Sequence, residues 1–364
     1  MIANPNFPAN LDIKPSVSFL PAGKSDVRLF GTAAQRNAIQ KFGIAGRVWE
    51  AAYLLSTYIQ APRDVLFDPP FLLRDDFSGP LTILELGSGT GIVAAACADQ
   101  LIGQDTTLIV TDLPEVCPLL EQNLQEYLPP ATCASAPKVL VRPLTWGSDL
   151  EANNIAAELG SHRSILPTSP SARCLTHVIC SDLSLLRYFL GVRRRKYGEE
   201  LDHLALGIPI NPADKITLLK ITAPPFTPTS PSQSPRVIVS YKVRSLAKET
   251  PFWSAFGLWF SFQPVLAKKR RVSQESNDSS NVLRNVDNMV HVNQTLEEAW
   301  TRFGSADEND LFIFVASRRP ESLTWEVPHS DQELLAGVGA WGSQTSKGDD
   351  TFEGLLLMGL DVDI

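Results

Sequence analysis

The sequence predicts an α/β protein built on a doubly wound, mostly parallel sheet. Three observations carry that expectation. The apolar run Thr82–Leu86 breaks into Gly87, Gly89 and Gly91 and then leads into a helical stretch, Ile92 to Gln100. Two other buried-looking strands, Thr107–Asp112 and Thr176–Asp182, each end in an acid. Strands and helical stretches alternate along much of the chain, the pattern of parallel strands joined by crossover helices. The expected sheet has seven strands, helices on both faces and a closing antiparallel strand pair.

The glycine stretch reads LELGSGTG from Leu84 to Gly91. Glycine tolerates positive φ and lets a ligand approach the main chain, which a β-carbon would prevent. A strand, glycine turn and helix present backbone N–H groups to a nucleotide-like ligand. The dinucleotide fingerprint G-x-G-x-x-G would need a glycine where Ile92 stands. Gly91 instead completes G-x-G-x-G, preceded by Glu85. A plain strand-to-helix turn is the alternative reading.

Taken in order, residues 1–40 read as an N-terminal arm, proline-rich at first and short on periodicity. Gly46 to Ile59 (GRVWEAAYLLSTYI) places Val48, Ala51, Ala52, Leu55 and Ile59 on one helical face. Trp49, at its start, reads either as a core anchor or as a ligand contact. Asp112 lies 23 residues after Gly89, where an acid reaches ribose hydroxyls in nucleotide-binding α/β folds. It could equally cap a helix from Glu115 to Leu128. Val139 to Trp146 is a third strand, and Trp146 at its carboxyl end could stack on an adenine face or pack on a loop. Glu151 to Ala172 reads as a helical turn and a polar loop. His177 belongs to no ligand cluster. Arg236–Lys242 is a fifth strand, Thr250–Trp259 the next helix, and Phe260–Leu266 and Leu311–Ala316 the last strands. Residues 321–364, rich in glycine and acids, form a C-terminal extension with no assigned place.

Bulk properties narrow the function classes. The net charge is −8, from 32 basic and 40 acidic residues, which does not suit electrostatic capture of nucleic acid. No apolar run reaches the roughly 18 residues of a membrane span. The first residues lack the basic start and apolar core of a secretory signal. The five cysteines contain no C-x-x-C pair, which favours reduced thiols in the cytosol. No metal site is expected. The run Lys268–Arg271 reads as a solvated hairpin loop, with a nuclear localisation signal or an acidic docking partner as alternatives. The location expected is cytoplasmic, with that run leaving a nuclear one open, and the chain is taken as a monomer.

In this order, Val48-Trp49-Glu50-Ala51-Ala52, Glu85-Leu86-Gly87-Ser88-Gly89-Thr90-Gly91, Asp112 and Trp146-Gly147 make the chain resemble the METTL21-like lysine methyltransferases, or methyltransferase family 16. The resemblance runs from about Phe42 to Arg318. Lys242 to Trp259 resembles the matching region of fungal members. The resemblance implies a Rossmann-like class I methyltransferase domain over 41–320, with insertions near 151–172, 184–216 and 268–290. It implies S-adenosylmethionine as cofactor, lined by Trp49, Glu85, Gly87, Ser88, Gly89, Gly91, Asp112, Trp146 and Ser181. It implies a protein substrate such as a chaperone or an elongation factor. Family members carry Asp-x-x-Tyr or Asp-x-x-Phe after the fourth strand. Here Asp182 is followed by Leu183, Ser184 and Leu185, and the nearest aromatics are Tyr188 and Phe189. Residues 184–216 therefore read as an insertion or a retained intron.

The chemistry such an enzyme needs is modest. The methyl donor is already an electrophile, so the protein must align a neutral amine with it. A lysine amine has an ordinary pKa near 10.4, and desolvation lowers it. Asp182 is the catalytic candidate, orienting the amine or assisting its deprotonation, with helix capping as the alternative. Tyr241, Phe252 and Trp253 read as channel walls or core. A small-molecule N-methyltransferase and a catalytically weakened cofactor-binding scaffold are the competing readings. A nicotinamide dehydrogenase is disfavoured by Ile92.

Overall fold

The computed structural model describes residues 12–17, 27–73, 79–128, 135–145, 148–161, 174–182, 234–270, 299–304, 311–328 and 331–358. Its strands are β1 (Val65–Asp68), β2 (Leu81–Leu86), β3 (Thr106–Asp112), β4 (Lys138–Pro143), β5 (His177–Ser181), β6 (Arg236–Lys242), β7 (Phe260–Pro264), β8 (Leu266–Lys269), β9 (Thr301–Arg302) and β10 (Leu311–Arg318). Seven of them form one sheet in the order β4-β3-β2-β5-β6-β10-β7. The five strands from β4 to β6 are parallel. β10 lies antiparallel between β6 and β7. The chain thus builds outward from β2 to β4, then returns to β2's other side with β5. That reversal opens a crevice at the carboxyl ends of β2 and β5, where open α/β sheets hold their ligands.

Period-two patterning explains the layers. In β2, Leu84 and Leu86 enter one core cluster while Leu81 and Ile83 enter the other. All six β2 residues are buried, as expected for a parallel strand covered on both faces. Helices α3 (Glu50–Ile59), α4 (Ile92–Gln100) and α5 (Cys117–Tyr127) share the cluster of Ile83, Val110, Ile179 and Ile238. Helices α6 (Asp149–Ser161) and α7 (Leu246–Trp259) share that of Leu84, Val178, Val237 and Phe314. The seven-stranded, doubly wound sheet expected from the sequence is the one observed.

The expected strand Phe260–Leu266 is broken at Val265. That buried residue donates its N–H to Ile313 O (2.8 Å) in the large sheet and accepts from Phe303 N (2.9 Å). The chain then enters a small second sheet, β1-β8-β9. Lys268 and Lys269 therefore lie on β8 rather than in a hairpin loop. Residues 27–40, read as the end of an arm, instead carry helices α1 (Val27–Phe30) and α2 (Thr32–Phe42). The expected turn after Glu151 is a thirteen-residue helix, α6. The C-terminal stretch adds a 3-10 turn (Pro320–Thr324), α8 (Asp331–Leu335) and α9 (Thr351–Met358). It seals the α7 face: Phe352 is fully buried and stacks on Trp253 with centroids 4.9 Å apart.

Candidate functional site

At the end of β2, Gly87, Gly89 and Gly91 have φ of 65°, 55° and 85°. These are left-handed conformations that glycine adopts without steric cost. A Cβ on Gly89 would also lie 3.1 Å from Ala45 O, in the 3-10 turn Gly43–Gly46 that crosses the loop. The Gly89 N–H donates to Asp112 Oδ2 (2.7 Å), and Leu113 N donates to Oδ1 (2.8 Å). Asp112 thus faces the glycine turn. Its bonds go there and to its own neighbour, whereas α5 begins at Cys117 with Val116 as N-cap. Burial pushes the Asp112 carboxyl up to about 6, against the lowering effect of those two N–H bonds.

Beneath the turn lies Glu85, 2% exposed. Burial raises its pKa to about 8; the Ser88 side chain opposes the shift and the charge of Asp112 adds to it. Its Oε2 is buried without a hydrogen-bond partner, as is Ser181 Oγ at the end of β5. Glu85 is in register with Ile179, two residues before Ser181. Glu85 Oε2 and Ser181 Oγ are thus orphaned near the carboxyl ends of the two strands that flank the crevice, as is Ser88 Oγ in the turn between them and the ligand side. Buried polar atoms are ordinarily paired, and leaving one unpaired costs about 1–3 kcal/mol.

The third wall is the start of α3. Ser240 Oγ donates to Ala51 O (2.6 Å), fastening this helix to β6 beside Ser181. The peptide before Trp49 is held from the N-terminal side. Val48 N donates to Gln35 Oε1 (3.2 Å), and Ser16 Oγ donates to Val48 O. Gln35 also receives Ser16 N (3.0 Å) and donates to Phe30 O (2.8 Å) and the Tyr53 hydroxyl (3.0 Å). Two guanidiniums flank the Trp49 ring, with Arg47 Cζ 4.4 Å and Arg244 Cζ 5.8 Å from its centroid. Each is paired with a carboxylate. Arg47 meets Glu50 at 2.5 Å. Arg244 grips Asp182 through both oxygens, at 2.8 and 2.5 Å.

That grip bears on the catalytic candidate. The Asp182 side chain has 0% exposure beneath Arg244. Its backbone has φ of 42° and its N–H donates to Ser240 O (2.8 Å). A bidentate guanidinium fork fixes both the position and the plane of the carboxylate it holds.

Trp49, Glu85, Gly87, Ser88, Gly89, Gly91, Asp112, Ser181 and Asp182 thus all lie around the carboxyl edge of β2, β3 and β5. Trp146 and Gly147 fall outside the described residues, as do Leu183–Lys196. Tyr241, Phe252 and Trp253 are core rather than channel wall. They are 1%, 8% and 0% exposed and pack with Phe256, Phe262 and Phe314. Residue patterns did not single out Arg244 or Gln35. The available clue to Arg244 was its place two residues past β6, beside a strand ending in an acid. Among the described residues no cluster could hold a metal ion, and no helix is long and apolar enough to cross a membrane.

Residues 34–159 match the family model described as lysine methyltransferase. Protein N-lysine methyltransferase METTL21A of Mus musculus is 33% identical over 113 residues, 31% of this chain and 43% of that protein. EEF1A lysine methyltransferase 3 of Mus musculus is 30% identical over 168 residues, 45% of this chain and 63% of that protein. Protein-lysine N-methyltransferase EFM6 of Saccharomyces cerevisiae is 33% identical over 120 residues, 30% and 43% of the two chains. The matches span about half the length of these relatives. The resemblance to METTL21-like lysine methyltransferases read from the motifs is thus found again by whole-segment comparison, and the matched segment contains Trp49, the glycine turn and Asp112.

Proposed function

We propose that this protein is an S-adenosylmethionine-dependent methyltransferase that modifies a lysine side chain of a protein substrate. The observation that carries the reading is the crevice between β2 and β5. There a left-handed glycine turn, a buried acid facing it and orphaned polar atoms of Glu85, Ser88 and Ser181 lie at one sheet edge. The names of the matched relatives support lysine as the acceptor, and one of them names EEF1A. An elongation factor or a chaperone is therefore the substrate class to try first. The described cysteines are free thiols, which supports a reducing, cytoplasmic setting.

The residues present fit that cofactor. The glycine turn allows close approach of a ligand to the main chain. Asp112 would accept from ribose hydroxyls, trading part of its bond to Gly89 N–H. Glu85 Oε2 and Ser181 Oγ offer acceptors for the amino-acid end, where a cation would favour the ionised form of Glu85. Trp49 supplies an indole at the same edge. S-adenosylmethionine brings a sulfonium-activated methyl group, so no protein nucleophile is required. The protein's part is to strip water from the incoming ammonium, favour its neutral form and align it. Asp182, at the end of β5, is the group assigned to orientation.

The test is transfer of radiolabelled methyl groups from S-adenosylmethionine into a cell extract. Label in a discrete protein band, recovered as methyl-lysine after hydrolysis, supports the proposal. Label confined to the small-molecule fraction would make the protein a small-molecule N-methyltransferase. Cofactor binding with no transfer at all would leave it a scaffold.

A further inference from the structure

We infer that Arg244 is a positioning residue for methyl transfer, holding the Asp182 carboxylate and the Trp49 indole in one fixed relation; the inference rests on the methyltransferase reading above. Arg244 bonds one of them and lies beside the other. Its Nη1 and Nη2 take the two Asp182 oxygens at 2.8 and 2.5 Å, and its Cζ lies 5.8 Å from the Trp49 centroid. It is itself fixed from behind. Nη1 also donates to Lys242 O (3.0 Å), and its backbone N–H donates to both Glu249 oxygens (3.2 Å each). Ser245 N donates to the same carboxylate (3.1 Å), locking the turn between β6 and α7.

The geometry matters because Asp182 sits in a left-handed backbone conformation that non-glycine residues seldom adopt. Something must hold it there, and a bidentate fork fixes both position and plane of a carboxylate. The same guanidinium lies against the start of α3, so the cofactor-side wall and the end of β5 share one anchor. Arg47 and Glu50 complete the charged surroundings of the indole. A lysine in place of Arg244 would keep the charge but lose the fork.

The experiment compares the full-length wild type with Arg244→Gln and Arg244→Lys. It follows labelled methyl incorporation into extract protein while S-adenosylmethionine is varied, with thermal melts and cofactor calorimetry on each protein. The expected result is a rate at saturating cofactor reduced by about 10- to 100-fold in Arg244→Gln, the scale of a misplaced reacting group. The KM for S-adenosylmethionine should move little, and Arg244→Lys should recover part of the rate. Adding Asp182→Asn to Arg244→Gln should cost little more, because the two residues act as one unit. Should Arg244→Gln fail to melt cooperatively, the intermediate rate of Arg244→Lys carries the test. A rate within about twofold of wild type, or a loss expressed wholly in KM, would overturn the inference. So would a faster Arg244→Gln, which would make Arg244 a competitor for Asp182. A wild type that binds no S-adenosylmethionine would overturn the underlying reading, and the inference with it.

Discussion

Glu85 carries a buried carboxyl whose pKa rises from 4.5 to about 8. A group with a raised folded pKa binds its proton more tightly in the native state. Its contribution to stability is full below 4.5 and is lost as pH climbs through 8. Asp112, raised from 3.8 to about 6, acts with the same sign over a lower window. Glu85→Gln should therefore flatten the fall in stability between pH 5 and 9. It should exceed wild type at pH 9 by at least ~1 kcal/mol, the scale of an unpaired buried polar group. Urea denaturation at pH 5, 7 and 9 measures this, and parallel curves for the two proteins would contradict it. Asp112→Ala should weaken S-adenosylmethionine binding by about tenfold or more, since hydrogen bonds to charged acceptors contribute ~1.5–3 kcal/mol. At this scale the strand-end acids were legible because parallel sheets gather ligands at their carboxyl edge. Arg244 was not, because its pairing with Asp182 spans 62 residues and depends on how β5 and β6 register.

Among the elements, the glycine turn was read from spacing alone, and its three positive φ values bear that out. Gly89→Ala would force an L side chain to φ of 55° and bring its methyl against Ala45 O. The expected outcome is a drop of about 1 kcal/mol or more in stability and a larger loss in cofactor affinity, read by calorimetry beside a thermal melt. Helix α2 escaped the sequence reading for a physical reason. Its buried residues are Phe42 at its end and Gln35, whose amide is bonded on several sides, and hydrophobic periodicity does not register an amide. The C-terminal segment escaped because its anchors are scattered rather than periodic: Phe352 against Trp253, Phe312 and Phe314, Trp325 against Trp259, and the buried Leu334 and Ala340. Phe352→Ala should lower stability by about 3–5 kcal/mol, measured by urea denaturation, with the β2 crevice unchanged. An effect below ~1 kcal/mol would mean that the segment is not part of the core.

For the whole molecule, the sheet order and its switch point turn scattered motifs into one site. Glu85, Asp112, Ser181 and Trp49 come from parts of the chain up to 132 residues apart in number, yet each lies at or next to a strand's end or a helix's start at the same edge. Alternation of strands and helices was enough to foresee that edge. The break at Val265, which sends β8 into a second sheet, was not foreseen, since the stretch Phe260–Leu266 (FSFQPVL) gives no sign of which sheet its end will join. The central claim is that this edge holds S-adenosylmethionine. Isothermal titration calorimetry of the full chain with S-adenosylmethionine, with NAD as the control ligand, tests it most directly. Saturable binding of S-adenosylmethionine at one site per chain, weakened by Asp112→Ala and by Gly89→Ala, is expected, with no binding of NAD. Binding of NAD instead, or S-adenosylmethionine binding indifferent to both substitutions, would contradict it.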